Sequence, residues 1–281
     1  MADGAYRWQG NWPAPDAARV AEIDAAWDEA RADPFGEAAR VAAIERIERA
    51  LAAARTDDLT EANAQLTHAR SVLDGLDPVA LEPRRGLAGL FDGRGARLKR
   101  FRDAWNRAAA GLAGTANELT GRIEGAGQRS GALDSVWIEI RDTLADLDAH
   151  IAAASARLAG QTPSDGDASH PLVARRAVLE ACRAAALQSL PLIRSAQNAD
   201  ARAADALKAC ADGLAAWRDD WTEALGLSGK RPKSVRPDRE RMARVHDGLR
   251  ARLVRALAEL TASRTRRAEV EARMAELRRP L

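Results

Sequence analysis

The stretch Leu187–Leu227, LQSLPLIRSAQNADARAADALKACADGLAAWRDDWTEALGL, decides the fold class. Apart from Pro191 and Gly213, nearly every residue in it is a good or tolerable helix former, and no strand-like alternation interrupts it. Pro191 predicts a kink, because its ring removes one backbone donor and crowds the preceding turn. Trp217 and Trp221 stand four residues apart on one helical face, and Gly226 closes the pattern. Leu207, Cys210 or Ala211, Leu214, Trp217, Trp221 and Leu225 form a row at steps of three and four, which predicts that Trp217 is buried.

The rest of the chain reads the same way. Hydrophobic residues make up 46% of it, but alanine dominates them, aromatics are only 4%, and Tyr6 is the sole tyrosine. Abundant Ala, Leu, Arg and Glu with few β-branched residues is the composition of long helices and coiled coils. The fold expected is therefore all-α: an elongated antiparallel helical bundle or coiled coil, with a small N-terminal helical bundle and about eight helices in all. Residues 1–15 read as an irregular tail and residues 16–77 as short N-terminal helices. Their apolar rows are Val20, Ile23 and Trp27; Val41, Ile44, Ile47 and Leu51; and Leu66, Val72 and Leu73. Residues 78–96 read as a turn-rich connector, 97–227 as a central coiled-coil bundle, and 238–279 as a basic C-terminal long helix.

Inside the central region two rows run at near-heptad spacing, Phe101, Trp105, Ala108, Leu112, Ala116, Leu119 and Ile123, then Leu133, Val136, Ile140, Leu144, Leu147, Ile151, Ala154 and Leu158. The glycines between Gly125 and Gly131 predict a turn, so helices over 97–127 and 132–160 are expected to form an antiparallel hairpin. In the last helix the row thins between Leu260 and Val270, TASRTRRAE, which predicts its weakest packing there.

Pro191, Ile193, Arg194, Gln197 and Asn198, followed after a helical interval by Trp217 and then Ala224-Leu225-Gly226-Leu227, resemble the C-terminal signature of the toxic-anion-resistance (TelA-like) family. A looser match, at Leu76, Pro78, Phe91, Gly93 and Lys99, precedes it in the same order. Ala199-Asp200 and Arg218 depart from the family pattern. The resemblance implies a cytoplasmic, all-helical protein linked to resistance against tellurite and other toxic oxyanions or to stress.

The residues themselves point away from catalysis. His68, His150, His170 and His246 are scattered, and no P-loop, G-x-S-x-G, G-x-G-x-x-G or H-E-x-x-H occurs. No cofactor and no metal is expected. Cys182 and Cys210 lack CxxC context and read as reduced, semi-buried residues. No run of eighteen apolar residues and no leader pattern is present, so neither a membrane span nor a signal peptide is expected.

Three constellations are candidate sites. Arg194, Gln197 and Asn198 flank the Pro191 kink, where they either satisfy a freed carbonyl or form an oxyanion or partner site. Trp217 and Trp221 read as core anchors or as a partner hot spot. Arg94, Arg97 and Arg100, with Lys99 and Arg102, form a basic collar at a helix start, where positive charge opposes the helix dipole. Charge is also uneven along the chain: residues 230–281 carry 16 Lys and Arg against 7 Asp and Glu, although the whole is only +2. The reading expected is a non-enzymatic helical scaffold acting through protein partners, with homo-oligomers through helix seams as one form. The alternative is a module for anions or anionic polymers, with oxyanion, nucleic acid or lipid headgroups meeting the basic clusters; nucleic acid and membrane surfaces are not favoured.

Overall fold

The computed structural model describes residues 13–28, 34–55, 58–81, 94–160, 170–227, 237–279 and 281. The chain folds as an all-α helical bundle, with α1 (Ala17–Ala25), α2 (Glu37–Ala54), α3 (Asp58–Asp74), a short 3₁₀ turn (Pro78–Leu81), α4 (Arg94–Ala159), α5 (Pro171–Ala224) and α6 (Arg239–Arg278). Most of the expected tail and connector, the loop over 161–169 and the basic stretch over 228–236 lie outside the described residues. Two compact units divide the chain: residues 1–55, 129–198 and 266–281 form unit 1, and residues 56–128 and 199–265 form unit 2. The short N-terminal helices are thus shared out, α1 and α2 to unit 1 and α3 to unit 2, and each packs on segments of the long helices.

The expected hairpin does not exist: α4 is one uninterrupted helix of 66 residues through Gly125–Gly131. Its two apolar rows are one row, since Leu119, Ala126, Leu133, Val136 and Ile140 stay buried in a single heptad register. The glycines fall on the open side, where a Cβ built on Gly121, Gly127 or Gly131 meets nothing within 4 Å. Glycine in a helix interior costs about 1 kcal/mol against alanine, which a long seam of buried contacts outweighs. The described residues thus form six α-helices, where about eight were expected.

Alanine, more than the large aliphatic residues, sets the buried face of α2. Ala39, Ala43, Ile47, Ala50, Leu51 and Ala54 are buried, whereas Val41, expected on the core face, is exposed. The α2 N-cap, Gly36, has φ 66, the left-handed region where glycine avoids a Cβ penalty, and an added Cβ would meet Leu179 Cδ1 at 2.8 Å. Small residues let backbone and side chain approach this closely, so the core of unit 1 is thin and exact: Ile47, Leu133, Ile140, Leu144, Ile193 and Met274 fill it.

Arginines close the helix ends of unit 1. Arg157 donates to the Asp24 carbonyl and carboxylate at the end of α1, at 2.9 and 2.8 Å. Arg267 is 3% exposed and donates to the carbonyls of Ala53 and Ala54, the last of α2, at 2.6 to 3.1 Å. The row on α6 that thins in sequence therefore continues through buried Ser263 and Arg267 at the same three-four spacing, and the polar residues are part of the seam. A buried bidentate pair, Arg183 with Asp148, joins α5 to α4. Such a pair adds little net stability but is costly to break, so it favours one helix register over others.

Two outcomes test this account. Gly127→Ala and Gly131→Ala should each raise resistance to urea, by up to about 1 kcal/mol; a loss at either position would mean that the backbone turns there. Hydrogen bonds from Arg40 and then Arg175 hold the Glu37 carboxyl down at about 2 against its ordinary 4.5. Because the folded value lies below the unfolded one, this contribution is present above pH 4.5 and is lost as pH falls toward about 2. Glu37→Gln should therefore flatten the acid limb of the stability profile in that window, and an unchanged limb would refute the assignment.

Candidate functional site

The candidate residues separate by unit. In unit 1, Arg194 lies on α5 one turn past Pro191, and α5 remains helical through the proline. Arg194 and Gln197 do not turn back to the carbonyl that Pro191 frees. Arg194 Nη1 donates to Asp134 Oδ1 at 2.6 Å and to Gln197 Oε1 at 2.7 Å, and Gln197 Nε2 donates to the Ser130 carbonyl at 2.9 Å. Asp134 and Ser130 belong to α4, so this network ties the two helices side by side. Hydrogen bonds from Arg194 and then Gln197 hold the Asp134 carboxyl below its usual value.

The Arg194 guanidinium sits 4.3 Å from the centroid of the Trp137 indole, and Arg141 approaches the same ring at 5.1 Å. Trp137 is half-buried and packs on the core of unit 1. Cation–π attraction near a surface is worth about 0.5–1 kcal/mol, and the ion pair with Asp134, about half exposed on both sides, adds little. Together they fix an otherwise mobile guanidinium in one place. Asn198 is exposed at the edge of this face. Trp137 was absent from the sequence candidates; its spacing from Asp134 and Arg141 on one α4 face, three and four residues, was the signal that marks it.

Trp217 and Trp221 lie in unit 2, 1% and 0% exposed, with ring centroids 5.1 Å apart. Phe101 of α4 stacks on Trp221 at 5.9 Å and His246 of α6 stacks on it at 6.0 Å. The Trp221 Nε1 donates to the Met242 carbonyl at 3.1 Å, and His246 Nε2, which must carry the proton, donates to the Leu73 carbonyl at the end of α3 at 3.1 Å. Trp217 Nε1 has no hydrogen-bond partner, so Trp217 acts through its area alone. These tryptophans are the centre of a core, not a surface.

The Ala-Leu-Gly-Leu ending closes α5 by a complete account of its last carbonyls. Gly226, with φ 65, donates to Glu223 at 2.8 Å and Leu227 to Thr222 at 2.9 Å, the paired bonds of a Schellman motif. Asp238 N takes the Ala224 carbonyl at 3.1 Å, and Arg102 Nη2 takes that of Leu225 at 2.6 Å. One member of the basic collar is thereby used inside the fold. Arg97 and Arg100 occupy the first turns of the same helix, half-buried and exposed, and the Arg94 side chain lies outside the described residues.

Both cysteines are free and buried. Burial pushes both thiols up, Cys210 to about 11, which disfavours the thiolate that nucleophilic or reductive chemistry needs. Among the described residues no group of three His, Cys, Asp or Glu side chains is placed to hold a metal ion, and no helix is long and apolar enough to cross a membrane. No protein-family model, curated protein or solved structure matches the chain.

The aromatic core predicts a graded response at one position. Trp217→Ala should cost about 3–5 kcal/mol, as for other fully buried large-to-small changes, while Trp217→Phe should cost clearly less because no indole hydrogen bond is lost. Equal melting of the Ala variant and the parent protein would show that Trp217 is not a core anchor.

Proposed function

We propose that this chain is a non-enzymatic helical scaffold of the toxic-anion-resistance type, which works by holding protein partners. The observation that carries the reading is the Arg194–Trp137–Gln197 network in unit 1. Arg194 and Gln197, two of the residues on which the family resemblance rests, bond to each other and across to α4, and are not enclosed with reactive groups. They hold an exposed Arg over a half-buried Trp, the residue types that dominate binding hot spots, in fixed geometry at the surface. The raised thiols fit the same reading, since tellurite reduction by this chain would need an accessible thiolate.

The alternative, an anion-binding module built on Arg94, Arg97 and Arg100, has less support. Arg102 of that collar is committed to the Leu225 carbonyl, and Arg241 nearby is paired with Asp220 and Glu223.

Arg194→Ala removes one exposed ion pair and one cation–π contact, so folding stability should change by no more than about 1 kcal/mol. In cells that depend on the chain for tellurite tolerance, the same variant should accumulate normally yet lose both tolerance and cross-linked partners. Multiple-turnover tellurite reduction by the purified chain with NADH or NADPH would overturn the scaffold reading. Full tolerance in the Arg194→Ala strain would remove this face from it.

A further inference from the structure

Beside the Trp137 face, unit 1 holds a concavity of about 540 Å³ between the start of α1 and the outer side of α4. Pro13 and Pro15 form one apolar wall and Ile138 the other. Ile138 is 55% exposed, whereas Leu133, Ile140, Leu144 and Leu147 on the same helix are buried. Arg141 both lines this concavity and contacts the Trp137 ring, so the cavity and the Arg194 network form one continuous surface. A volume of this size falls in the range of about 300–1,000 Å³ that takes a small ligand or a few side chains.

The charge of the lining selects the occupant. Four carboxylates, Asp16, Asp142, Asp146 and Asp148, stand against two guanidiniums, Arg19 and Arg141. Three of the carboxylates are engaged within the fold: Asp16 caps α1 through the Ala18 N–H, Asp146 accepts from Arg19, and Asp148 is paired with Arg183. Arg19 is in turn held by Glu22 and Asp146. Asp142 remains, exposed on the wall one helical turn from Ile138. An apolar surface with an outlying carboxylate one turn away matches a segment that presents a large apolar side chain and a Lys or Arg together.

A second copy of the chain is a poor occupant on the same grounds. Docked parallel about Ile138, each Asp142 meets its like; docked antiparallel, each meets an Asp134 that Arg194 already holds, so no unengaged cation faces it. Like charges set opposite one another are destabilising.

We infer that the concavity at Ile138 and Asp142 is the pocket in which the scaffold seats a partner protein, through an amphipathic segment carrying a basic residue within one helical turn of a large apolar one. This rests on the scaffold reading and specifies the partner chemistry at that same face.

The test pans a random peptide display library on the full chain and measures the enriched peptides by fluorescence anisotropy. Enriched sequences should pair Lys or Arg with a large apolar residue. Their affinity should fall at least about tenfold with Ile138→Asp, as for loss of a hot-spot contact. Asp142→Lys should invert the preference toward Asp and Glu. Val254→Asp, at an exposed site of unit 2, should leave binding unchanged, and thermal melts of every variant should match the parent.

Enrichment without a basic bias, binding indifferent to both pocket variants, or failure to enrich any peptide overturns the inference. Self-association in sedimentation that Ile138→Asp abolishes also overturns it, in favour of a second copy. Should any of these occur while partner cross-linking in cells still depends on Arg194, the scaffold reading stands and only the pocket assignment falls.

Discussion

The constraint on which the helix packing depends is close approach at small residues, glycine and alanine, set among larger apolar ones. A buried alanine removes little apolar surface from water, so a seam of alanines gains stability mainly by tight contact and only weakly by area. Where Gly36 meets Leu179, and where a Cβ on Gly213 would come within 3.2 Å of Leu249 and Arg252, the backbone itself lies in van der Waals contact with a neighbouring helix. Close contact of this kind tolerates few registers. The large residues, among them Ile47, Leu133 and Ile140 in unit 1 and Phe101, Trp217 and Trp221 in unit 2, supply most of the buried area where the small residues leave room.

The second constraint follows from the first. Long helices with thin cores expose their ends, and each end leaves carbonyls without intrahelical donors. This chain assigns arginines to them: Arg157 at α1, Arg267 at α2 and Arg102 at α5, with His246 doing the same for α3. A guanidinium offers several donors in a planar fork and stays charged at any relevant pH, so it can satisfy two carbonyls at once and favour the negative end of the helix dipole. The arginine-rich composition is in large part structural. A net charge or a basic run in such a chain is therefore weak evidence for an anionic ligand.

What the sequence made legible, and what it hid, divide along the same physical line. The helical class, the burial of Trp217 and Trp221 and the Gly226 terminus followed from residues with strong local preferences, whereas the cysteines, expected semi-buried, are fully buried. The missing hairpin did not, because glycines at Gly125–Gly131 were weighed as a turn signal while the unbroken heptad register through Ala126 and Leu133 was the stronger evidence. Of the expected α2 row, Ile47 and Leu51 are buried and only Val41 is exposed, because Ala39, Ala43, Ala50 and Ala54 occupy the rest of the buried side. Arg267 and Ser263 looked like a gap in α6 because polarity hides position; their register placed them on the seam all along. Trp137 is hidden in the sequence because it sits inside an apolar row and only the fold brings Arg194 over its ring.

The two halves of the sequence signature end up with different physical work. Ala224-Leu225-Gly226-Leu227 terminates a helix in unit 2, where every one of the last four carbonyls from Thr222 to Leu225 has a donor, and Trp217 stands in the core beneath it. Those residues would be required by any protein that folds this way, whatever it binds. Arg194 and Gln197 in unit 1 satisfy no helix-end carbonyl and fill no core; their hydrogen bonds position an exposed guanidinium over the half-buried indole of Trp137, whose inner side packs on the core of unit 1. A fold gains little from the guanidinium itself, because an exposed ion pair and a cation–π contact at the surface are each worth about 1 kcal/mol. Geometry that is fixed at small benefit to stability is where a binding role has the most to explain, and the proposed scaffold reading rests on the α4–α5 face of unit 1 for that reason.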